Sequence, residues 1–296
     1  MIREIYKEEY PITLKNMKSP PNKLQVRGQF GMPQDQKYLC IVGSRSWTSY
    51  GQESVHSIIS GLKGYPISIV SGLAYGIDSI SHVAALEAGL HCIAFPGSSL
   101  EWDQIYPPEH VGLAQTIVER GGALVSEWEP GYPTGKWTFP ARNRLMAGLS
   151  HAVLIIEAAH KSGSLMTAKY AEDFDRDVLA VPGPIDSPQS YGPHMLIRRG
   201  AALISSSFDV LEALGFEVER PTYVGKKKPG RRKPIPVHIR EDMLAMSIME
   251  MLKPHSMTMD QLTEAMNAPV QTMNEKLTIL ELEGLVRIEG TRIKSI

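Results

Sequence analysis

Ser71-Gly-Leu-Ala-Tyr-Gly-Ile-Asp78 follows directly on the apolar run Ile67-Ser-Ile-Val70. Together they predict a buried strand, a turn through two glycines, and a helix that starts at Gly76 or Ile77. Such a junction points the unpaired N–H groups of the helix start beyond the strand end, where an anion such as phosphate fits. The arrangement recurs. Ile41-Val-Gly-Ser-Arg45 precedes a second helical pattern, Ile155-Ile-Glu157 leads into Ser162-Gly-Ser-Leu165, and Ala180-Val-Pro-Gly183 closes another apolar run. Small-residue turns at several strand ends predict one shared phosphate-binding crevice.

Outward from these turns, short β-rich runs alternate with stretches of helical period between Lys37 and Gly215. Strands are predicted over 38–43, 67–71, 91–96, 123–126, 152–157, 178–181 and 202–205. Helices are predicted over 51–63, 77–89, 107–120, 141–149, 163–175, 192–200 and 208–214. Runs such as Ala152-Val-Leu-Ile-Ile156, apolar on both faces, predict an α/β fold with a doubly wound, mostly parallel sheet. Residues 37–217 form this domain. Residues 1–36, with Pro11, Pro20, Pro21 and Pro33, read as an irregular extension packed on it. Residues 218–239 combine prolines with a basic run and read as a linker. Residues 240–296 show helical pattern at 240–252, 258–266 and 270–283. The short runs Val286-Arg-Ile288 and Thr291-Arg-Ile293 follow, a pattern that resembles a winged helix.

Composition is that of an ordinary globular protein, with 43% hydrophobic and 21% charged residues over 296 positions. No apolar stretch approaches a membrane span, and the start does not read as a signal peptide, so a cytoplasmic location is expected. Cys40 and Cys92 lie in apolar runs and read as reduced core thiols. The nine histidines are scattered without ligand spacing, so neither a metal nor another cofactor is expected. The net charge of −1 hides an asymmetry: residues 221–240 carry seven cations and no acid, which leaves −8 for the rest. Affinity for nucleic acid must come from local patches.

Several motifs in order resemble the DprA/Smf family of DNA-processing proteins. They are Val42-Gly-Ser-Arg45 with Tyr50-Gly51, Ser71 to Asp78 with His82, Tyr106-Pro107, Ser126-Glu127 and Phe139-Pro-Ala-Arg-Asn-Arg144. Further along come Glu157 with Ser162-Gly-Ser-Leu165, Val181-Pro-Gly183, and Gly192 with Leu196-Ile197 and Gly200-Ala201. The resemblance spans residues 10 to about 215. It implies an extended Rossmann-like domain that binds single-stranded DNA, forms a homodimer and helps load RecA recombinase during natural transformation and recombination. Many members carry a lysine and an asparagine soon after the Tyr-Pro. Here Tyr106-Pro-Pro-Glu-His110 stands instead, which weakens phosphate attraction unless His110 substitutes.

The residues expected to contact DNA are those of the strand-end turns. Arg45 stands at the crevice mouth to fork a phosphate. Gly43, Ser44, Ser71, Gly72 and Gly76 let the DNA backbone approach, or serve turn geometry alone. Asp78 either stabilises its helix start or meets ligand. Arg142, Asn143 and Arg144 open a helix against its macrodipole; they grip phosphate, or pair with Glu127 and Glu157. Ser162, Gly163 and Ser164 bind phosphate or cap a helix. Trp47, Tyr50, Tyr75, Trp102 and Tyr106 lie in loops near strand ends. Of these, Trp47 and Tyr75 are singled out for base stacking.

The C-terminal segment is acidic, with nine acids against five Lys/Arg from Glu241 onward. A DNA-reading winged helix is normally basic, so a protein-contact or regulatory role is expected of it. Two other function classes fit the sequence less well. A nucleotide-hydrolysing enzyme of related fold would need a Pro-Gly-Gly-x-Gly-Thr segment, where this chain has Phe95-Pro-Gly-Ser-Ser-Leu100 and Val181-Pro-Gly-Pro184. A dinucleotide oxidoreductase would need Gly-x-Gly-x-x-Gly and an acid closing the second strand, where Ser71 stands. A non-enzymatic DNA-binding protein is the reading that remains.

Overall fold

The computed structural model describes residues 1–31, 36–219, 235–252, 256–289 and 292–295. They fall into two units, Met1–Arg220 and Pro221–Ile296. The first begins with β1 (Ile2–Tyr6), α1 (Ile12–Lys15) and β2 (Lys23–Gly28). Strand–helix alternation follows: β3 (Lys37–Val42), α2 (Ser49–Ser60), β4 (Ile67–Ser71), α3 (Ile77–Glu87), β5 (His91–Ala94), α4 (Val111–Glu119) and β6 (Ala123–Ser126). Then come α5 (Thr138–Leu149), β7 (Ala152–Ile155), α6 (Ser164–Asp173), β8 (Asp177–Ala180), α7 (Tyr191–Arg198), β9 (Ala202–Leu203) and α8 (Ser207–Ala213).

Among the described residues these strands make a nine-stranded sheet in the order β1-β2-β6-β5-β4-β3-β7-β8-β9. All pairs from β6 through β9 are parallel. The period of two along a strand builds both faces. Leu39 and Ile41 of β3 join the layer of α2, α3, α4 and α8 through Val55, Ile77, Ile117 and Val210. Cys40 and Val42 join the layer of α5, α6 and α7 through Leu145, Ala168 and Leu196. The result is a doubly wound sheet covered on both sides, and both cysteines are buried and unbridged.

The start of the chain differs from expectation. Instead of an irregular extension, β1 and β2 pair antiparallel, and β2 pairs antiparallel with β6, lengthening the sheet at one edge. Ile5, Leu24 and Val26 are fully buried there, and Pro11, Pro20 and Pro21 fall between elements, where their missing N–H is harmless. Pro33 lies outside the described residues. Other boundaries moved as well, two of them for clear local reasons. Helix α5 starts at Thr138, ahead of Pro140, because proline is tolerated in a first turn. Strand β9 stops at Leu203, because Ser206 and Asp209 form a capping box that starts α8.

The second unit comprises α9 (Val237–Arg240), α10 (Met243–Met251), β10 (Met257–Thr258), α11 (Met259–Met266), α12 (Val270–Leu282), β11 (Val286–Glu289) and β12 (Arg292–Ser295). It is a winged helix, with a small sheet in the order β10-β12-β11 and a core that includes Ile248, Leu262, Leu277 and Ile293. The helix expected at 240–252 is split. Asp242 accepts from the N–H groups of Leu244 and Ala245 at 3.0 Å, and so caps a new helix. The basic run at 226–233 lies outside the described residues.

Candidate nucleic-acid interface

The carboxyl ends of β3, β4 and β7 and the starts of α5 and α6 border an open cleft of about 780 Å³. Gly43 to Ser46, Ala74, Asp78, Lys136, Phe139, Pro140, Arg142, Asn143, and Lys161 to Ser164 line it, with Tyr106, Thr167 and Gln189. Its rim is cationic. Arg45, Lys136 and Lys161 are exposed, and the Arg45 guanidinium carbon lies 5.6 Å from the centre of the Phe139 ring. Gly163 is exposed at the start of α6, and the Ser162 and Ser164 hydroxyls lie 2.7 Å apart. The helix therefore presents its positive end to the space the cations surround.

The floor is built differently. Arg142 and Asp78 are each 6% exposed. The Arg142 guanidinium donates to the carbonyls of Gly72 and Phe95, and its Nε donates to Asn143 Oδ1 at 3.0 Å. Burial pushes the Asp78 carboxyl up, opposed by Arg142 and by hydrogen bonds from the backbone at Ala74 and Gly72. Gly72 is required here: a Cβ on it would overlap both the guanidinium and the Asp78 carboxylate. Arg142 thus joins the ends of β4 and β5 to α5, and is spent on the protein.

The expected contact residues separate accordingly. Gly43, Ser44, Arg45, Asn143, Ser162, Gly163 and Ser164 come together in the cleft. Gly72 and Tyr75 line an adjoining narrow recess with Arg45, Tyr106 and Phe139. Others are not brought there. The Ser71 hydroxyl is buried and donates to Ile41 O at 2.6 Å. Gly76, at φ +79°, serves the turn itself, since a Cβ would overlap the Ser44 carbonyl. Arg144 takes the bracing alternative, with Nη2 2.5 Å from Glu127 and Nη1 3.2 Å from Ser19 O. Glu157 instead accepts from the backbone N–H and hydroxyl of Thr48, the cap of α2.

His110 lines neither the cleft nor the recess. Its Nδ1 lies 2.6 Å from Leu73 O, and its ring meets the Tyr75 ring edge-on at 5.1 Å. Tyr75 donates to Glu109 at 2.5 Å, which pushes the phenol up to about 12. Trp47 is exposed but lines neither space. Tyr50 donates to Pro182 O, and Trp102 lies under the Arg27 guanidinium, so both pack locally. Lys136, Lys161, Phe139, Thr167 and Gln189 are not among the expected contact residues. Lys161 had a legible signal, a cation immediately before Ser162-Gly-Ser164. Lys136, in a long loop, had none.

A family model for DNA recombination-mediator protein A matches residues 2–215. The chain belongs to the DprA/Smf family. A second family model, for the DprA winged helix domain, matches residues 240–290. The chain is 42% identical over 209 residues to protein Smf of Escherichia coli, covering 71% of this chain and 55% of that protein. It therefore spans about half the length of that relative. Against DNA processing protein DprA of Streptococcus pneumoniae it is 40% identical, covering 70% of this chain and 72% of the other. The solved structure of S. pneumoniae DprA superposes with a TM-score of 0.66 at 37% identity, over 74% of this chain and 75% of that one. A Helicobacter pylori DprA, described for its single-stranded DNA binding mode, superposes with a TM-score of 0.63 at 29% identity, over 72% and 95%. Among the described residues no cluster of metal-binding side chains occurs, and no helix is long and apolar enough to cross a membrane.

Proposed function

We propose that this DprA/Smf protein binds single-stranded DNA without regard to sequence, holding phosphates over the cleft at the carboxyl ends of β3, β4 and β7. One observation carries the reading. Three exposed cations and the positive end of α6 surround a space whose floor carboxylate, Asp78, already faces a buried arginine. The solved H. pylori relative supports it, being described by how it binds single-stranded DNA. Arg45, Lys136 and Lys161 are the phosphate contacts; Ser162 to Ser164 offer backbone N–H groups and hydroxyls. Phosphate contacts carry no sequence information, so all single strands bind alike.

The role is one of binding, in DNA processing and recombination, with no bond made or broken. Loading of RecA recombinase onto the bound strand, assembly as a homodimer, action in natural transformation and a cytoplasmic location belong to the same proposal and rest on family membership. The winged helix enters it as a protein-contact module. Lys276 of α12 is tied to Asp242 at 2.7 Å, while Glu275 and Glu281 on the same helix are exposed. Exposed carboxylates on this helix repel a phosphate backbone.

The test is fluorescence anisotropy of a labelled poly-dT strand and an equal-length duplex, across a salt series, with wild type and Arg45→Ala. Single-strand preference, steep salt dependence and loss in the variant are expected. No binding at low salt would sink the proposal and point to a nucleotide ligand. Light scattering at micromolar concentration reads the homodimer; a monomer mass removes that part.

A further inference from the structure

The loop that carries Lys136 into the cleft carries a second feature that the phosphate reading leaves unused. Trp137 follows Lys136 and precedes the cleft-lining Phe139 by two positions. At 60% exposure it is the most exposed aromatic side chain among the described residues, and its ring has no aromatic partner there.

The ring is also held in place. The Thr138 N–H and hydroxyl both donate to Gly135 O, at 3.0 and 2.8 Å, closing a tight turn around Lys136 and Trp137. The indole lies against Gly135 so closely that a Cβ there would overlap its six-membered ring. One side of the indole is thus backed by protein backbone and the remainder faces outward. A rigid aromatic surface fixed before binding loses little entropy when a ligand covers it.

We infer that Trp137 is a stacking platform for one base of the strand whose phosphates occupy the cleft, extending the interface past its cationic rim. The inference rests on the single-strand reading proposed above. Continuity selects this occupant. Lys136 reaches the phosphate space and Trp137 is the next residue, so a strand held at Lys136 leaves the cleft across the indole. Every base has a π-face, so the platform adds affinity without sequence preference.

The experiment compares wild type, Trp137→Ala and Trp137→Phe on two labelled strands of equal length, poly-dT and the same backbone with abasic residues throughout. The phosphates are identical, and only the first strand offers bases. Trp137→Ala is expected to weaken poly-dT binding about 5- to 150-fold, to leave abasic binding unchanged, and to leave the salt slope unchanged. Trp137→Phe is expected to recover most of the loss. Equal binding of wild type and Trp137→Ala to poly-dT overturns the inference. So does an equal loss on both strands, which would assign the indole to the backbone or to the loop's own order. A changed mass in light scattering with unchanged poly-dT affinity would assign it to self-association and overturn it as well. If wild type binds neither strand at low salt, the single-strand reading fails first, a pattern distinct from the other three.

Discussion

Arg45 and Arg142 lie on one cleft and do opposite work. On the rim, Arg45 is exposed and retains open hydrogen-bonding capacity. On the floor, Arg142 is buried and spends its donors on Gly72, Phe95 and Asn143 with Asp78 beside it. The rim is tuned for a ligand that comes and goes, the floor for a geometry that does not change. Residue type does not separate the two; burial and partners do. Removing a floor residue is expected to act on stability, and removing a rim residue on binding and its salt dependence.

The comparison breaks most visibly at the floor. Arg142→Met removes the charge beside Asp78 and leaves the buried Gly72 and Phe95 carbonyls without their donor, and is expected to lower unfolding free energy by about 1–3 kcal/mol for each carbonyl left unpaired. Denaturant unfolding reads this, and Asp78→Asn combined with Arg142→Met should destabilise by less than the two single changes summed. Additive losses would show that the two side chains do not act as a pair. Gly72→Ala, which pushes a methyl group against the same pair, is expected to lose about 1–3 kcal/mol by overpacking, with the charges untouched.

Acid sharpens the comparison from another side. His82 is fully buried, and burial, aided by the positive charge of Arg142 and His110, pushes its pKa down from 6.5 to about 3. Between those values the unfolded chain binds a proton that the folded one refuses. Stability from this group is therefore complete above pH 6.5 and falls by about 1.4 kcal/mol per unit below it. His82→Gln should flatten that part of the profile; an unchanged profile would remove His82 as its source. The smallest effect on the fold is expected at the rim. Arg45→Ala should change stability by no more than about 0.5 kcal/mol, while the slope of log K against log salt drops by about 0.7. A rim variant that unfolds the protein, or a floor variant that alters only the salt slope, would dissolve the distinction.

Much of the large unit was legible because β3, β4 and β7 are short runs apolar on both faces, a pattern that parallel strands between helices produce. The small-residue turns at Gly43 and Gly163 marked the cleft, and the turn at Gly72 the recess beside it. The strand pair at the start was harder to see. Ile2 to Tyr6 and Lys23 to Gly28 mix charges among few apolar residues, and their pairing depends on β6, far along the chain. Which arginine faces solvent was not legible either. Arg142 is buried because the carbonyls of Gly72 and Phe95, at the ends of two other strands, take its donors, and no spacing rule connects them. Arg144 is drawn aside by Glu127, as one of the two weighed alternatives had it. Lys136 and Trp137 sit in an irregular loop, where periodicity says nothing about direction.

The place of β2 in the sheet bears on how the chain is made. From β3 outward the sheet assembles in the order of synthesis: β4, β5 and β6 on one side, β7, β8 and β9 on the other. The pair β1–β2 is the exception, since Gly28 finds its partner only at Ala123. With ~100 residues between them, and translation at roughly 5–20 residues per second, the first hairpin waits about 5–20 s for β6 to emerge. During that interval Leu24 and Val26 belong to a strand whose neighbour in the sheet has not yet been made, so β2 is the last of the early strands to gain its cover.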